Sequence, residues 1–354
     1  MGVTMRTSEF DYHLPEPLIA QMPLPERDAS RLLVLRRESG AVLHRRFRDL
    51  GTFLRPGDLV VLNDTKVIPA RLYGQRPGGG RVEILLVHEE SRNHWWVLVR
   101  PARRLPVGRH VSFRGGLSGH VVDRGEEGMR LLRFDGIEDI RDILPRVGMM
   151  PLPPYIKRGA VSSEQEVQER RLDAERYQTV YAREAGAIAA PTAGFHFTEA
   201  VLRELERQGV EISFLTLHVG TATFKPVTVE RVDEHRMGSE RYTIPESTAA
   251  AVKRARADGR RVVAVGSTTT RALEDAALYD GEVRAGDREA SLFITPGHHF
   301  QVVDGLVTNF HLPRSTLLML VSAFAGRDMI VEAYADAVRD GYRFYSYGDA
   351  MLIL

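Results

Sequence analysis

The stretch Arg261-Val-Val-Ala-Val-Gly-Ser-Thr-Thr-Thr-Arg-Ala-Leu-Glu274 decides the fold class. Its Val and Ala run reads as a buried strand, Gly266 supplies the turn, and a helix begins near Arg271. A strand that feeds a helix through one short loop is the repeating unit of an α/β sheet. The start of such a helix leaves backbone N–H groups unpaired, and those groups together with the helix dipole attract an anion. Ser267, Thr268, Thr269, Thr270 and Arg271 bring further donors to the same point. Two readings follow: a site for a carboxylate or phosphate, or a hydroxyl-rich cap that serves only the helix. It is not a Walker loop, because the lysine and the required glycine spacing are missing.

The same alternation continues on both sides. Apolar residues 187–190 precede a helix at about 199–208, with Thr198 as its N-cap and Gly209 as its stop. A strand over 210–219 and a helix over about 246–257 lead into the opening stretch. Strands at 291–295 and 306–310, helices from about 315 and over about 328–340, and a strand-like 344–354 follow it. Upstream, 32–35 and 59–62 read as strands. Between 67 and 134 the character changes to short apolar segments separated by clusters such as Pro77-Gly-Gly-Gly80 and Arg114-Gly-Gly116. That spacing predicts an antiparallel sheet or small barrel. The expected fold is therefore mixed α/β. A large α/β barrel-like domain takes residues 1–66 and 151–354, with an antiparallel β-barrel, residues 67–150, inserted into it.

Composition narrows the classes of function. The 354 residues are 43% hydrophobic and 27% charged, as in an ordinary globular protein with room for two domains. A net charge of +1 makes no global polycation, so any contact with nucleic acid must come from a local patch. The absence of cysteine excludes disulfides, thiolate nucleophiles, cysteine-held zinc and iron–sulfur clusters, and fits a cytoplasmic protein. The N-terminus has no signal-peptide shape, and the longest apolar run, 316–325, is too short to span a bilayer. The twelve histidines show no paired-ligand spacing, so no metal is expected.

Ligands of α/β sheets bind where strands end, and four such loops carry reactive groups. In Ala190-Pro-Thr-Ala-Gly-Phe-His-Phe-Thr198, Thr192 and His196 can exchange protons and Gly194 permits close backbone approach. Phe195 and Phe197 either stack on a base or pack on the core. In His218-Val-Gly-Thr-Ala-Thr-Phe224, His218 and Gly220 stand at a strand end, His218 being either an acid–base group or a satisfied core histidine. Glu234 and His235 either orient one another or lie solvated. The third loop is Gly266 to Arg271. The fourth, Asn309-Phe-His-Leu-Pro-Arg-Ser315, places Asn309, His311 and Arg314 on the same rim if the strands are parallel. Separately, no acidic residue occurs from Ser91 to Val122, whereas Arg100, Arg103, Arg104 and Arg109 do, with Trp95 and Trp96 interleaved. A basic β surface with aromatics is either an RNA-facing patch or an ordinary solvated face.

Several strings carry a resemblance. They are Phe10-Asp-Tyr-His-Leu-Pro15, Leu62-Asn-Asp-Thr-Lys-Val67-Ile-Pro-Ala-Arg71, Pro151-Leu-Pro-Pro-Tyr-Ile156 and Tyr177-Gln-Thr-Val-Tyr181. To these are added the four loops, Thr308-Asn-Phe-His-Leu-Pro-Arg-Ser-Thr316 among them, and the terminal Phe344-Tyr-Ser-Tyr-Gly-Asp349. In order and spacing the chain resembles the S-adenosylmethionine:tRNA ribosyltransferase-isomerase family of queuosine biosynthesis over nearly its whole length. The resemblance implies transfer and isomerisation of the ribosyl moiety of S-adenosylmethionine onto 7-aminomethyl-7-deazaguanine at the wobble position of a tRNA with a GUN anticodon. Epoxyqueuosine-tRNA, adenine and methionine would be the products. It also implies S-adenosylmethionine as co-substrate, with no permanent cofactor, no metal and no obligate protein partner; the sequence does not reveal the oligomeric state, for which a monomer is the expectation. His196, His218 and His311 form the pool from which base and acid would be drawn, with Glu234 and His235 next. Ser267, Thr268, Thr269 and Arg271 would hold the donor's carboxylate, or else a tRNA phosphate. Two positions depart from the family pattern: Ala222 stands where a glycine is usual, and Gly238 where a histidine commonly follows the methionine. A small-metabolite lyase or isomerase would account for the loops but not the basic segment. A non-catalytic RNA-binding module would account for the segment but not the loops.

Overall fold

The computed structural model describes residues 5–126, 128–158, 163–220, 227–278 and 281–354. The strands in chain order are β1 (Arg31–Leu35), β2 (Val42–Arg46), β3 (Leu59–Asn63), β4 (Thr65–Val67), β5 (Arg71–Gln75), β6 (Arg81–Ser91), β7 (His94–Arg100), β8 (His110–Phe113), β9 (Ser118–Arg124) and β10 (Met129–Asp135). They continue with β11 (Glu184–Ala187), β12 (Glu211–Leu217), β13 (Glu240–Ile244), β14 (Val262–Val265), β15 (Gly286–Ala290), β16 (Gly305–Asn309) and β17 (Ala350–Ile353). The α-helices are α1 (Ile140–Val147), α2 (Ser163–Arg176), α3 (Glu199–Arg207), α4 (Glu246–Ala257), α5 (Ser267–Ala276), α6 (Thr316–Ala325) and α7 (Arg327–Arg339).

Nine strands form one sheet in the order β15-β13-β12-β3-β14-β16-β17-β1-β2. Its centre, β12-β3-β14-β16, is parallel, whereas β17 runs antiparallel to β16. The central strands are short, fully buried runs such as LVVLN and VVAV, as expected of parallel strands covered on both faces. Alternate residues divide between two cores. Leu59, Val61, Val262, Ala264 and Leu306 face the core shared with α4, α5, α6 and α7. Val60, Leu62, Val263, Val265 and Val307 face the one shared with α3 and the 3₁₀ segment Phe47–Phe53. This sheet has two edges, β15 and β2; closure belongs to the barrel β10-β7-β6-β5-β8-β9. The barrel strands alternate buried and exposed residues around a separate core that includes Trp95, Leu72, Ile84 and Leu132. The α/β class and the inserted antiparallel barrel agree with the sequence reading.

Three elements differ from expectation. The strand expected at 291–295 lies at β15 instead, five residues earlier, in the polar segment GDREA. It is placed by main-chain pairing to β13 rather than by apolar alternation. Helix α2, SEQEVQERRLDAER, has no apolar stripe and so gave no periodic signal. Helix α5 starts at Ser267, not near Arg271, which puts the hydroxyl residues inside its first turn.

Candidate active site

The parallel centre of the sheet brings the ends of four strands to one rim. β3 ends at Asn63, β12 at Leu217, β14 at Val265 and β16 at Asn309. Antiparallel pairing of Asn309 with Ala350 delivers the segment before β17 to the same rim. Ala189 pairs with Val219, which brings in the loop after β11. The result is a cleft of about 650 Å³ including its open mouth, walled by segments that are distant in sequence. Thr192, Gly266, Ser267, Thr268, Asn309 and His311 from the sequence reading all line it.

The glycine loop aims a helix into this cleft. Gly266 has φ 94°, a conformation that costs other residues dearly, and it turns the chain directly from β14 into α5. No side chain caps the helix. Its first N–H groups therefore face the rim without intrahelical partners. Of the four hydroxyls, two are spent inside the helix: Thr269 Oγ1 donates to the Val265 carbonyl at 2.7 Å and Thr270 Oγ1 to that of Gly266 at 3.1 Å. Ser267 and Thr268 are left at the cleft wall, and the Asn63 amide donates to Thr268 Oγ1 at 3.4 Å.

Arg271 does not line the cleft. Its guanidinium is buried and committed to Glu240 Oε2 at 2.6 Å and to the carbonyls of Leu292, Gly238 and Ala290. Glu240 Oε1 also accepts the Gly220 N–H at 3.0 Å. Arginine and glutamate thus clamp the end of β12 to α5, and the arginine is spent as a brace. The departure at Gly238 falls on this clamp: the carbonyl of Gly238, not its side chain, takes part. Ala222 lies outside the described residues.

The histidine pool separates. His311 lines the cleft, with Nε2 on Thr308 Oγ1 at 2.8 Å, and burial pushes its pKa down to about 3. His196 lies behind the wall, its Nδ1 on Ser30 Oγ at 2.7 Å; burial takes its pKa to about 3, opposed by the Asn309 amide. His218 does not line the cleft, and its Nδ1 is on Thr65 Oγ1 at 2.7 Å; burial lowers its pKa against the pull of Glu184 and Asp64. Glu234 is exposed and ion-paired to Arg231, and the His235 ring packs edge-on against Phe293. Neither reaches the cleft.

The phenylalanines take the structural option. Phe197 is fully buried against Phe47, and Phe195 packs between Tyr177 and Tyr347, so neither is available to a base. Gly194 is required by close packing, since a Cβ there would lie 2.1 Å from Tyr181 Oη. Thr192 Oγ1 donates to Asn309 Oδ1 at 3.4 Å, joining the first and fourth loops, and the Asn309 amide donates to the Tyr345 carbonyl. Arg314 is exposed and paired with Asp11 outside the cleft. The reading of single loops missed Tyr155, Thr308, Tyr345 and Ser346, all of which line the cleft and all of which sit in the strings quoted above. Tyr155 and Tyr345 pack with ring centroids 4.7 Å apart, and Tyr345 holds φ 69°, an uncommon conformation for a bulky residue.

On the barrel, Arg100, Arg103, Arg104 and Arg109 are exposed, and none has a carboxylate partner among the described residues. Trp95 is buried in the barrel core and Trp96 is partly exposed, its indole N–H on Glu90. The barrel register also gathers His110, His120 and Asp135 within 4.8 Å of one another, a grouping invisible in the linear spacing. Among the described residues no helix is long and apolar enough to cross a membrane.

Fold and cleft together define an α/β enzyme with an inserted barrel. Residues 7–353 match the model of the queuosine biosynthesis protein family. An S-adenosylmethionine:tRNA ribosyltransferase-isomerase from Moorella thermoacetica is 54% identical over 99% of this chain and 100% of its own length. One from Pelobacter propionicus is 53% identical over the same shares. An S-adenosylmethionine tRNA ribosyltransferase of known structure from Thermotoga maritima is 39% identical, covers 98% of this chain and 100% of its own, and superposes with a TM-score of 0.54. The chain belongs to the queuosine biosynthesis protein family.

Proposed function

We propose that this enzyme transfers and isomerises the ribosyl moiety of S-adenosylmethionine onto a deazaguanine base in tRNA, releasing adenine and methionine. The observation that carries the reading is the cleft itself: a helix start rich in free N–H groups, a buried neutral histidine and two tyrosines line it together. The N-terminus of α5 with Ser267 and Thr268 receives the donor's carboxylate, an arrangement helix termini favour. His311 is neutral at physiological pH, so it can accept the proton that leaves the carbon beside the sulfonium. The weak basicity of a buried imidazole is offset by the acidity that the positive sulfur gives that C–H. The imidazolium so formed is unstable in its dry pocket and gives up its proton readily, which suits protonation of departing adenine. Thr192 and Asn309, joined to each other, also line the cleft. Residues 67–150 form the inserted domain on this reading, and its arginines meet the tRNA. The bound base would be 7-aminomethyl-7-deazaguanine at the wobble position of a GUN anticodon.

Incubation of the purified protein with S-adenosylmethionine and tRNA bearing the deazaguanine tests this. Free adenine should form only when both substrates are present. Folded protein that releases none, or releases it without tRNA, would defeat the proposal.

A further inference from the structure

Behind the cleft wall is a second, shallow hollow of about 290 Å³ including its open mouth. It shares Ser346 with the cleft, and the 3₁₀ turn Thr192–His196 separates the two, Thr192 on one side and His196 on the other. Arg27 and Arg176 line it and also line a wider, open depression leading to the surface. Both are half-buried, and neither makes an ion pair among the described residues. Arg27 donates to the carbonyls of Phe195 and Glu175, and Arg176 to those of Pro25 and Leu24. Carbonyls position a guanidinium but do not cancel its charge.

Apart from Glu175, which lines the open depression, the acids nearby are already committed. Asp173 is paired with Arg158, Asp349 accepts the backbone N–H groups of Arg31 and Arg343, and Glu26 and Asp28 hold Arg48. Exposed Glu175 acts on Arg27 only through space. A third arginine, Arg343, adds its field at His196 and donates to the Met22 carbonyl. Arg176 Nε and Arg343 Nη1 are buried without a hydrogen-bond partner among the described residues. Burial and the adjoining Arg176 pull the pKa of Arg27 down to about 10, against the pull of Glu175. Partly desolvated cations side by side, with donors to spare, are costly unless an anion joins them.

We propose that Arg27 and Arg176, with Arg343 adding charge, hold a phosphate oxyanion, and that this phosphate is a backbone phosphate of the RNA substrate. The guanidinium fork matches a phosphate better than a point charge does. The open depression admits a polymer, and the hollow adjoins the cleft in which one base of that polymer must sit. The assignment rests on the reading of the enzyme as one that acts on tRNA. It adds a second contact with the backbone, independent of the barrel arginines.

Binding of full-length protein to tRNA, measured by anisotropy over a series of potassium chloride concentrations, tests it without turnover. An Arg27→Gln, Arg176→Gln double variant should bind tRNA about tenfold more weakly, and its slope of log affinity against log salt should be shallower by about 1. Its KM for S-adenosylmethionine should stay within about twofold of wild type. Arg176→Lys, which keeps the charge, should retain most of the slope. At matched ionic strength, inorganic phosphate should compete with tRNA on the wild type but not on the double variant. A folded double variant with an unchanged slope overturns the proposal. Phosphate that binds the wild type while the tRNA slope ignores both substitutions assigns the site to free phosphate and equally overturns it. If the glutamine variant does not fold, the lysine variant and the phosphate competition decide, and absence of competition on the wild type counts against the site. Wild-type protein that binds tRNA with the expected slope yet releases no adenine would sink the catalytic reading alone.

Discussion

Arg271 shows how residue type and residue role part company. An arginine at a helix start beside four hydroxyls reads as an anion ligand, yet its donors go to Glu240 and three carbonyls inside the protein. Nothing in the linear sequence places Glu240, thirty-one residues upstream, opposite it. Arg271→Ala would take the guanidinium from a buried carboxylate, so the loss should appear as about 3–5 kcal/mol of stability in a denaturant melt. A variant of wild-type stability with only a raised KM for S-adenosylmethionine would return Arg271 to the cleft. The histidines are a second case. His196 and His311 are buried and neutral, with pKa values near 3 against about 6.5 when unfolded. The unfolded chain therefore binds more protons between those values, and stability contributed by each is full above pH 6.5 and lost as pH falls toward 3. Each contributes a slope of up to about 1.4 kcal/mol per pH unit across that window. Comparing urea melts of wild type and His196→Gln from pH 7 to 5 should show a shallower loss in the variant; parallel lines would refute the burial argument.

At the scale of elements, the parallel strands were legible because burial on both faces demands apolar runs, which β3 and β14 supply over four residues each and β16 in Leu306-Val307. β15 and α2 were not, because main-chain pairing and a polar helix leave no periodic trace. The start of α5 falls between these cases. A run of β-branched threonines argues against helix in isolation. The structure overrides that preference by burying the residues and folding two hydroxyls back onto carbonyls four residues earlier. What remains functional is the helix terminus with Ser267 and Thr268. Ser267→Ala should raise the KM for S-adenosylmethionine by about tenfold or more, one hydrogen bond to a charged group being worth roughly 1.5–3 kcal/mol, with kcat largely kept. Thr270→Val, which removes an internal bond, should leave that KM alone. If the two variants behave alike in steady-state kinetics, the terminus is not the carboxylate site.

For the whole molecule, a net charge of +1 conceals an uneven distribution. The segment without acids, 91–122, is carried on the barrel, and of its exposed arginines Arg92 pairs with Glu138 while Arg100, Arg103, Arg104 and Arg109 stand without carboxylate partners among the described residues. The change of pattern near 67 was readable because alternating short strands bury only one face, whereas the strands of the large sheet bury two. How the barrel surface serves the cleft was not readable, since it depends on contacts such as Ile188, from the loop after β11, entering the barrel core. The arginines sit on a separate hydrophobic core, so changing their charge should leave the sheet and cleft intact. Arg103→Glu with Arg104→Glu should weaken tRNA binding at least tenfold at low salt, because each reversal replaces attraction to phosphate with repulsion. The difference should shrink as salt rises, and S-adenosylmethionine binding, followed by calorimetry, should not change. Equal tRNA affinity in the two proteins at low salt would show that the barrel face is merely solvated and that the polymer approaches from the Arg27 side alone.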